Sequence, residues 1–302
     1  TFYLSLLTGC INNNIGHTSY LEMNAYSFPL DEGRHQEVNE SWWFGSYVTS
    51  DKGDNFFICA LYVMRDSDNL IQSAIIQDIK SGMLYSNMDH YLKDTFDYNS
   101  DKLEFYLDSN EKWYQVNTNP YTYKILTRLS SEIYDVSLDL DIISNKGPTI
   151  QSTLGAISEI LNDTAYYDHT DCKVSGHITL FNEEISVQGT GYISREWGKV
   201  LGGQWQWSAV QLNNNYEICA AKFQTLDGVK DGGWMVNPKG KVKKLSDVNI
   251  TILNFTDTWW SEKWSISSRM DNFNITVELM GDLNKVIRLN EGICSVNGVW
   301  NE

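Results

Sequence analysis

Long apolar runs are nearly absent from this chain of 302 residues: after residue 10 no stretch approaches the ~18 apolar residues that span a bilayer as a helix. Proline is scarce at 4 and glycine stands at 21, which excludes collagen-like and low-complexity readings. Basic residues are also few. Lys and Arg total 23 against 39 Asp and Glu, and the net charge of -16 repels phosphate backbones and anionic bilayers, so nucleic acid is excluded as a partner. The 5 cysteines and 5 histidines form no CxxC pair or His/Cys cluster, and no metal site is expected. Neither a Ser-His-Asp order nor a phosphate-cradling glycine loop stands out.

Aromatic and β-branched residues are plentiful, in short runs broken by Asn, Asp and Gly. "SWWFGSYVTSDKGDNFFICALYVM" predicts a hairpin turning at Ser50–Asp54. "KLEFYL", "KWYQV", "YTYKILTRL" and "YDVSLDLDII" predict half-buried antiparallel strands. In the last, Val136, Leu138, Leu140 and Ile142 fall on a core face, with Ser137, Asp139 and Asp141 facing water. Residues 149–162 alone resist the pattern and read as a linker or a short helix. Strands so regularly spaced predict an all-β sandwich or barrel, and the length predicts two of them.

The start, "FYLSLLTGC" before "INNN", resembles a lipobox: a cut before Cys10, a lipid on its thiol and an Asn-rich tether. On that reading the protein is exported and lipid-anchored at the cell envelope of a bacterium or archaeon, touching the membrane through Cys10 only. The competing reading is an ordinary first strand. Cys59, Cys172, Cys219 and Cys294 are either two disulfides or buried small hydrophobes. Five sequons, at Asn39, Asn162, Asn249, Asn254 and Asn274, matter only in a host that glycosylates exported proteins.

Two stretches together carry a family resemblance. "FPLDEGRHQEVNESWWFGSYVTS" is similar to a signature of Phe-Pro, Asp, Gly-x-His, then Glu-Trp-Trp-Tyr opening a strand, here Phe28, Pro29, Asp31, Gly33, His35 and Ser41–Phe44. "GTGYISREWGKVLGGQWQWSAVQLNN" is similar to Gly-x-Gly-Trp/Tyr-x-Asp-Arg-Glu-Trp followed by Gly-Trp-Asp-Trp-Phe-x-x-Gln-Leu. Both resemble the carotenoid 1,2-hydratase (CrtC)/AttH-like family over residues 28–298. The resemblance implies two lipocalin-like antiparallel β-barrel or sandwich domains, at 25–200 and 201–302 behind a signal remnant and tether at 1–24. The family's closing Gly-Tyr-x-Glu segment does not follow "EGICSVNG", so the second domain reads as truncated. The resemblance further implies a hydrophobic small-molecule ligand, isoprenoid- or polyketide-like, handled without a cofactor by hydration, isomerisation or cyclisation; a monomer is expected. In the hydratases the Asp of the Tyr-x-Asp pair protonates an alkene, and that position is Ser194 here. The family's upstream His aligns near Ala165, beside Tyr166 and Tyr167, with His169 off register.

Strand parity assigns roles within "GTGYISREWG". Tyr192, Ser194 and Glu196 share one face, and Ile193, Arg195 and Trp197 the other. Glu196 is then the candidate acid, its pKa raised among aromatics, with Tyr192 and Ser194 orienting substrate or water. The structural alternative pairs Glu196 with a basic neighbour and stacks Arg195 on a tryptophan. Candidate ligand-binding residues are Trp42, Trp43, Trp205, Trp207, Arg195, His35 and Tyr167. His35 equally suits a loop pin, and the tryptophans equally suit filler. The rival function is a non-catalytic lipocalin-like carrier or surface binding lipoprotein.

Overall fold

The computed structural model describes residues 2–8, 26–35, 39–64, 69–107, 111–130, 134–150, 164–198, 205–225, 228–255, 261–279 and 290–300, the strand residues 2–8, 130, 164, 205, 224–225, 255, 261–262, 279 and most of 290–300 by backbone alone. In chain order the strands are β1 (Phe2–Thr8), β2 (Asn39–Ser50), β3 (Asn55–Met64), β4 (Leu70–Asp78), β5 (Leu84–Tyr91), β6 (Asp97–Tyr98), β7 (Glu104–Tyr106), β8 (Lys112–Thr118), β9 (Tyr121–Ser130), β10 (Asp135–Ser144), β11 (Thr149–Ile150), β12 (Thr164–Leu180), β13 (Glu183–Gly198), β14 (Trp205–Gln211), β15 (Glu217–Thr225), β16 (Gly228–Val236), β17 (Val242–Lys244), β18 (Asn249–Phe255), β19 (Ser261–Ser268), β20 (Phe273–Leu279) and β21 (Asn290–Trp300). One 3-10 turn, Leu30–Glu32, interrupts the β pattern among the described residues. The chain divides into two compact units, 19–148 with 163–200, and 1–18 with 149–162 and 201–302. Of the segment read as linker or helix, Thr149–Ile150 is strand and the rest lies outside the described residues.

The unit built on 19–148 is a curled antiparallel sheet in the order β5-β4-β3-β2-β13-β12-β10-β9-β8-β7-β6. Alternation dictates its core: Val136, Leu138, Leu140 and Ile142 of β10 are buried with Trp42, Phe44, Ile58 and Ile125 on the inner face. The curl brings β5 to β9 and β10, where Asn87 Nδ2 donates to Arg128 O at 3.4 Å and Tyr134 donates to Ser86 O at 2.5 Å. The β2–β3 hairpin turns at 51–54. β12 and β13 turn at Phe181 and Asn182, whose φ values of 50° and 67° give the two-residue turn that suits the twist of paired strands. Gly189 of β13 lies so close to β2 that a methyl there would sit 2.0 Å from Tyr47 O.

The other unit is one antiparallel sheet in the order β17-β16-β15-β14-β1-β21-β20-β19-β18. Its core gathers Val210, Ile218, Trp264, Ile266 and Phe273. Trp264 Nε1 donates to Ser208 Oγ at 3.0 Å, a partner that a buried indole needs. β1 pairs with both β14 and β21, the arrangement of an ordinary strand; Cys10 lies outside the described residues. Cys59, Cys172 and Cys219 are buried thiols, as small hydrophobes are, and the Cys294 side chain is outside the description.

Candidate functional site

Strand β13 lies between β12 and β2, with Ser194 opposite both Asp168 and Trp43, Arg195 opposite Tyr167 and Trp42, and Glu196 opposite Tyr166 and Ser41. Because alternate residues face opposite ways, the three strands build two different polar constellations, one on each side of the sheet.

The inner face is an anchoring cluster. Arg195, 1% exposed, stacks its guanidinium on Trp42 at 3.8 Å and lies 5.1 Å from Trp197. It pairs with Glu40 and donates to Gly33 O at 2.7 Å and Glu196 O at 2.8 Å; Arg34 also pairs with Glu40. Burial pushes the Glu40 carboxyl up, but Arg195, His35 and Arg34 outweigh it and hold it below the usual carboxylate range. His35 lies flat on Trp197 at 4.4 Å between Asp31 and Glu40; burial pulls its imidazole down, and those two carboxylates bring it net above the ordinary value. Tyr167 packs edge-on to Phe28 at 4.8 Å. Trp42 packs on Phe105 and donates from Nε1 to Glu32 O at 3.0 Å. Nearby, Glu32 accepts from Tyr123 at 2.7 Å and from Gln115 at 3.2 Å, and contacts His169 Nε2 at 3.0 Å. Four residues read from sequence as ligand contacts, His35, Trp42, Tyr167 and Arg195, thus sit inside a hydrogen-bonded and stacked interior.

The opposite face carries Trp43, Tyr166, Asp168, Tyr192, Ser194 and Glu196. Ser194 Oγ donates to Tyr166 Oη at 2.6 Å, and the Tyr166 and Tyr192 hydroxyls lie 3.3 Å apart. Burial raises the Tyr166 phenol well above its ordinary value and the charge of the Asp168 carboxylate raises it further, against the hydrogen bonds it makes with Ser194 and Tyr192. Trp43 meets Tyr192 edge-on at 5.7 Å. Glu196 is half-buried; burial raises its carboxyl, against the hydrogen bond of Ser41 and the charge of Arg195. Tyr26, whose phenol burial pushes up to about 12, pins the backbone of Tyr166: the Tyr166 N–H donates to Tyr26 Oη at 3.3 Å.

Sequence reasoning missed Tyr166 and Asp168. The position expected for the family's histidine, Ala165, opposes Trp197 on the inner side, and Tyr166 and Asp168 are the residues of β12 that reach the Tyr192–Ser194 face. Trp207 belongs to the other unit, where it packs on Trp234 at 5.0 Å; the side chain of Trp205 lies outside the described residues. Among the described residues no group of three His, Cys, Asp or Glu is arranged to hold a metal ion.

Comparison with known proteins agrees with the fold. A protein of Nitrosomonas europaea solved as an AttH candidate superposes with a TM-score of 0.72 at 15% identity, covering 94% of this chain and 99% of its own. Kievitone hydratase from Nectria haematococca superposes with a TM-score of 0.68 at 13% identity, covering 97% and 98%. No curated protein matches by sequence. The AttH-like family profile matches residues 20–298, nearly the whole chain, and the protein belongs to that AttH-like family.

Proposed function

We infer that the face shared by β2, β12 and β13 is a hydratase-like site, acting without a cofactor on an alkene-bearing hydrophobic small molecule of isoprenoid or polyketide character. The observation that carries this reading is the placement of Glu196, a carboxyl raised by burial, beside the hydroxyl cluster of Tyr166, Tyr192 and Ser194. A carboxyl shifted upward keeps its proton nearer neutral pH and can deliver it. In the proposed step the alkene π pair takes the Glu196 proton, forming a C–H bond and leaving a carbocation at the other carbon. Water adds its lone pair to that carbon, oriented by Tyr192 and Ser194, and loses a proton to complete the alcohol. Membership of a family with a hydratase among its structural neighbours supports the reaction class.

Kievitone, named by that neighbour, is the first probe. Glu196→Gln lowers turnover by about 100-fold or more while binding stays within a few-fold, the range expected for loss of a general acid; unchanged turnover removes Glu196 from the mechanism. The rival reading, a carrier without catalysis, is favoured by Ser194, a hydroxyl where the resemblance puts the proton-donating Asp. It predicts kievitone bound and recovered unaltered.

A further inference from the structure

We propose that Asn249, Asn254 and Asn274 are sites of N-linked glycosylation, and that their glycans cover the outer face of β18–β20 and shield the sheet edge at β18. The proposal is independent of the chemistry assigned to the face of β2, β12 and β13. Each of these residues heads an Asn-x-Thr triplet, with Thr251, Thr256 and Thr276 in third place. That triplet is the acceptor of oligosaccharide transfer in exported proteins. The fold decides where the triplets point. In β19, Trp264 and Ile266 are core, so Lys263, Ser265 and Ser267 face outward. Asn249 and Asn274 both oppose Ser267, and Thr251 and Thr276 both oppose Ser265. Two acceptor triplets therefore lie side by side on the outer face, about 10 Å apart across β19. Asn254 reaches the same face through an irregularity. Plain alternation from Ile250 and Ile252, which pack in the core, would turn it inward. The register of β18 shifts between Ile252 and Asn254, which sets Asn254 opposite Lys263 and leaves Leu253 and Asn254 both exposed. Asn249 and Asn274 are exposed as well, and Asn249 Nδ2 donates to Thr251 Oγ1 at 3.0 Å. Asn39, by contrast, is half-buried at the start of β2, and Asn162 lies outside the described residues.

The same strand needs the cover. Among the described residues β18 ends its sheet, and "NITILNF" contains no charge, no proline and no glycine. On an exposed edge such a sequence pairs with other chains. At the opposite end of the sheet β17 carries exposed lysines, Lys243 and Lys244, with Lys241 beside them. On β18 the Ile250 N–H donates to Asp231 Oδ2 at 2.8 Å, and further along Leu253 is 51% exposed. A bulky hydrated glycan on Asn254, with another on Asn249 at the start of the strand, does there what lysines do at β17. In the transfer step Asn Nδ2 bonds to the anomeric carbon of an oligosaccharide carried on a lipid diphosphate. The bond from that carbon to the diphosphate oxygen breaks with its electron pair on the oxygen, and Nδ2 gives up one of its two protons.

The test uses protein purified from its own source. Peptide N-glycosidase in 18O-labelled water turns each glycosylated Asn into an Asp carrying one heavy oxygen, which peptide mapping by mass spectrometry reads. The expected result is conversion at Asn249, Asn254 and Asn274, with Asn39 unconverted. Any of the three recovered as plain Asn overturns the assignment at that position, and conversion of Asn39 to the same extent overturns the argument from exposure. The shielding role has its own readout. Asn249→Gln combined with Asn254→Gln, produced in the same source, loses monomer to larger species as concentration rises in light scattering, whereas Thr251→Ser, which keeps the triplet, behaves as the parent. Endoglycosidase trimming of the folded parent to one sugar per site gives the same loss of monomer without any substitution. Trimmed protein that stays as monomeric as the parent overturns the shielding role.

Discussion

Glu40→Gln keeps the shape of the anchoring cluster and removes the one carboxylate that Arg34 and Arg195 share. Arg34 and Glu40 have 0% side-chain exposure and Arg195 has 1%, so none of these charges is dissolved in water. In the parent the two guanidiniums share one carboxylate; in the variant two buried cations face each other without it. Leaving a buried charge unpaired costs about 3–5 kcal/mol, a third or more of the ~5–15 kcal/mol that holds a typical domain. With a slope of about 2–3 kcal/mol per M of urea, the unfolding midpoint followed by tryptophan fluorescence falls by about 1–2.5 M. Adding Arg34→Met returns the cluster to one cation fewer and recovers part of the loss. Because the Glu40 carboxyl is held below its ordinary value, its contribution is complete at neutral pH and is lost as the pH falls through and below about 4.5, where the unfolded chain takes up a proton that the folded one resists. The variant lacks that acid-dependent component. A loss under about 1 kcal/mol at pH 7, or an acid slope identical to the parent's, refutes the desolvated cluster; the first of these limits is the ordinary range of exposed pairs.

Other outcomes follow from the same geometry. Glu196 has a raised carboxyl, so folding favours its protonated form and the parent loses stability as pH climbs above about 4.5; Glu196→Gln is more stable than the parent at pH 8 in urea titrations, with no advantage at pH 4. Gly189→Ala drives a methyl to within 2.0 Å of Tyr47 O and 2.7 Å of Val48 Cα, which is backbone and cannot rotate away, so β2 must shift and thermal unfolding falls further than for Gly191→Ala, whose nearest neighbour is a Val174 methyl at 2.8 Å. Lipidation at Cys10 requires a mature chain that begins there and lacks Phe2–Thr8, the strand between β14 and β21; intact mass of protein from its source reads this, and a chain retaining those residues without lipid contradicts it.

Much of the fold was legible because alternation is a local property. Val136 to Ile142 and the hairpin at 51–54 needed only period-two counting and turn chemistry. Parity within β13 likewise separated Tyr192, Ser194 and Glu196 from Arg195, and Arg195 on a tryptophan was foreseeable from the company it keeps. Register between strands was not legible. The pairing of β12 with β13 shifts between His169 and Cys172, so counting back from the hairpin turn at Phe181–Asn182 misplaces every residue beyond the irregularity. Ala165 drew attention through the family resemblance, which carries no register, and Asp168 carried no such mark. Nor could sequence tell which of Trp42 and Trp43 enters the core, since adjacent residues differ only in face; the partner of Arg195 lies 155 residues away at Glu40. An acidic residue two positions after a tyrosine, in Tyr166-x-Asp168 as in the family's Tyr-x-Asp, was the one local signal available.

The central claim is that a solvent proton and a solvent oxygen are added to an alkene on the face of Tyr166, Asp168, Tyr192, Ser194 and Glu196. Mass spectrometry of kievitone after incubation in deuterium oxide, and separately in 18O-labelled water, reads both additions at once. The account predicts one carbon-bound deuteron and one solvent oxygen with the parent and neither with Glu196→Gln; kievitone returned intact by the parent, or labelled equally by both proteins, contradicts it.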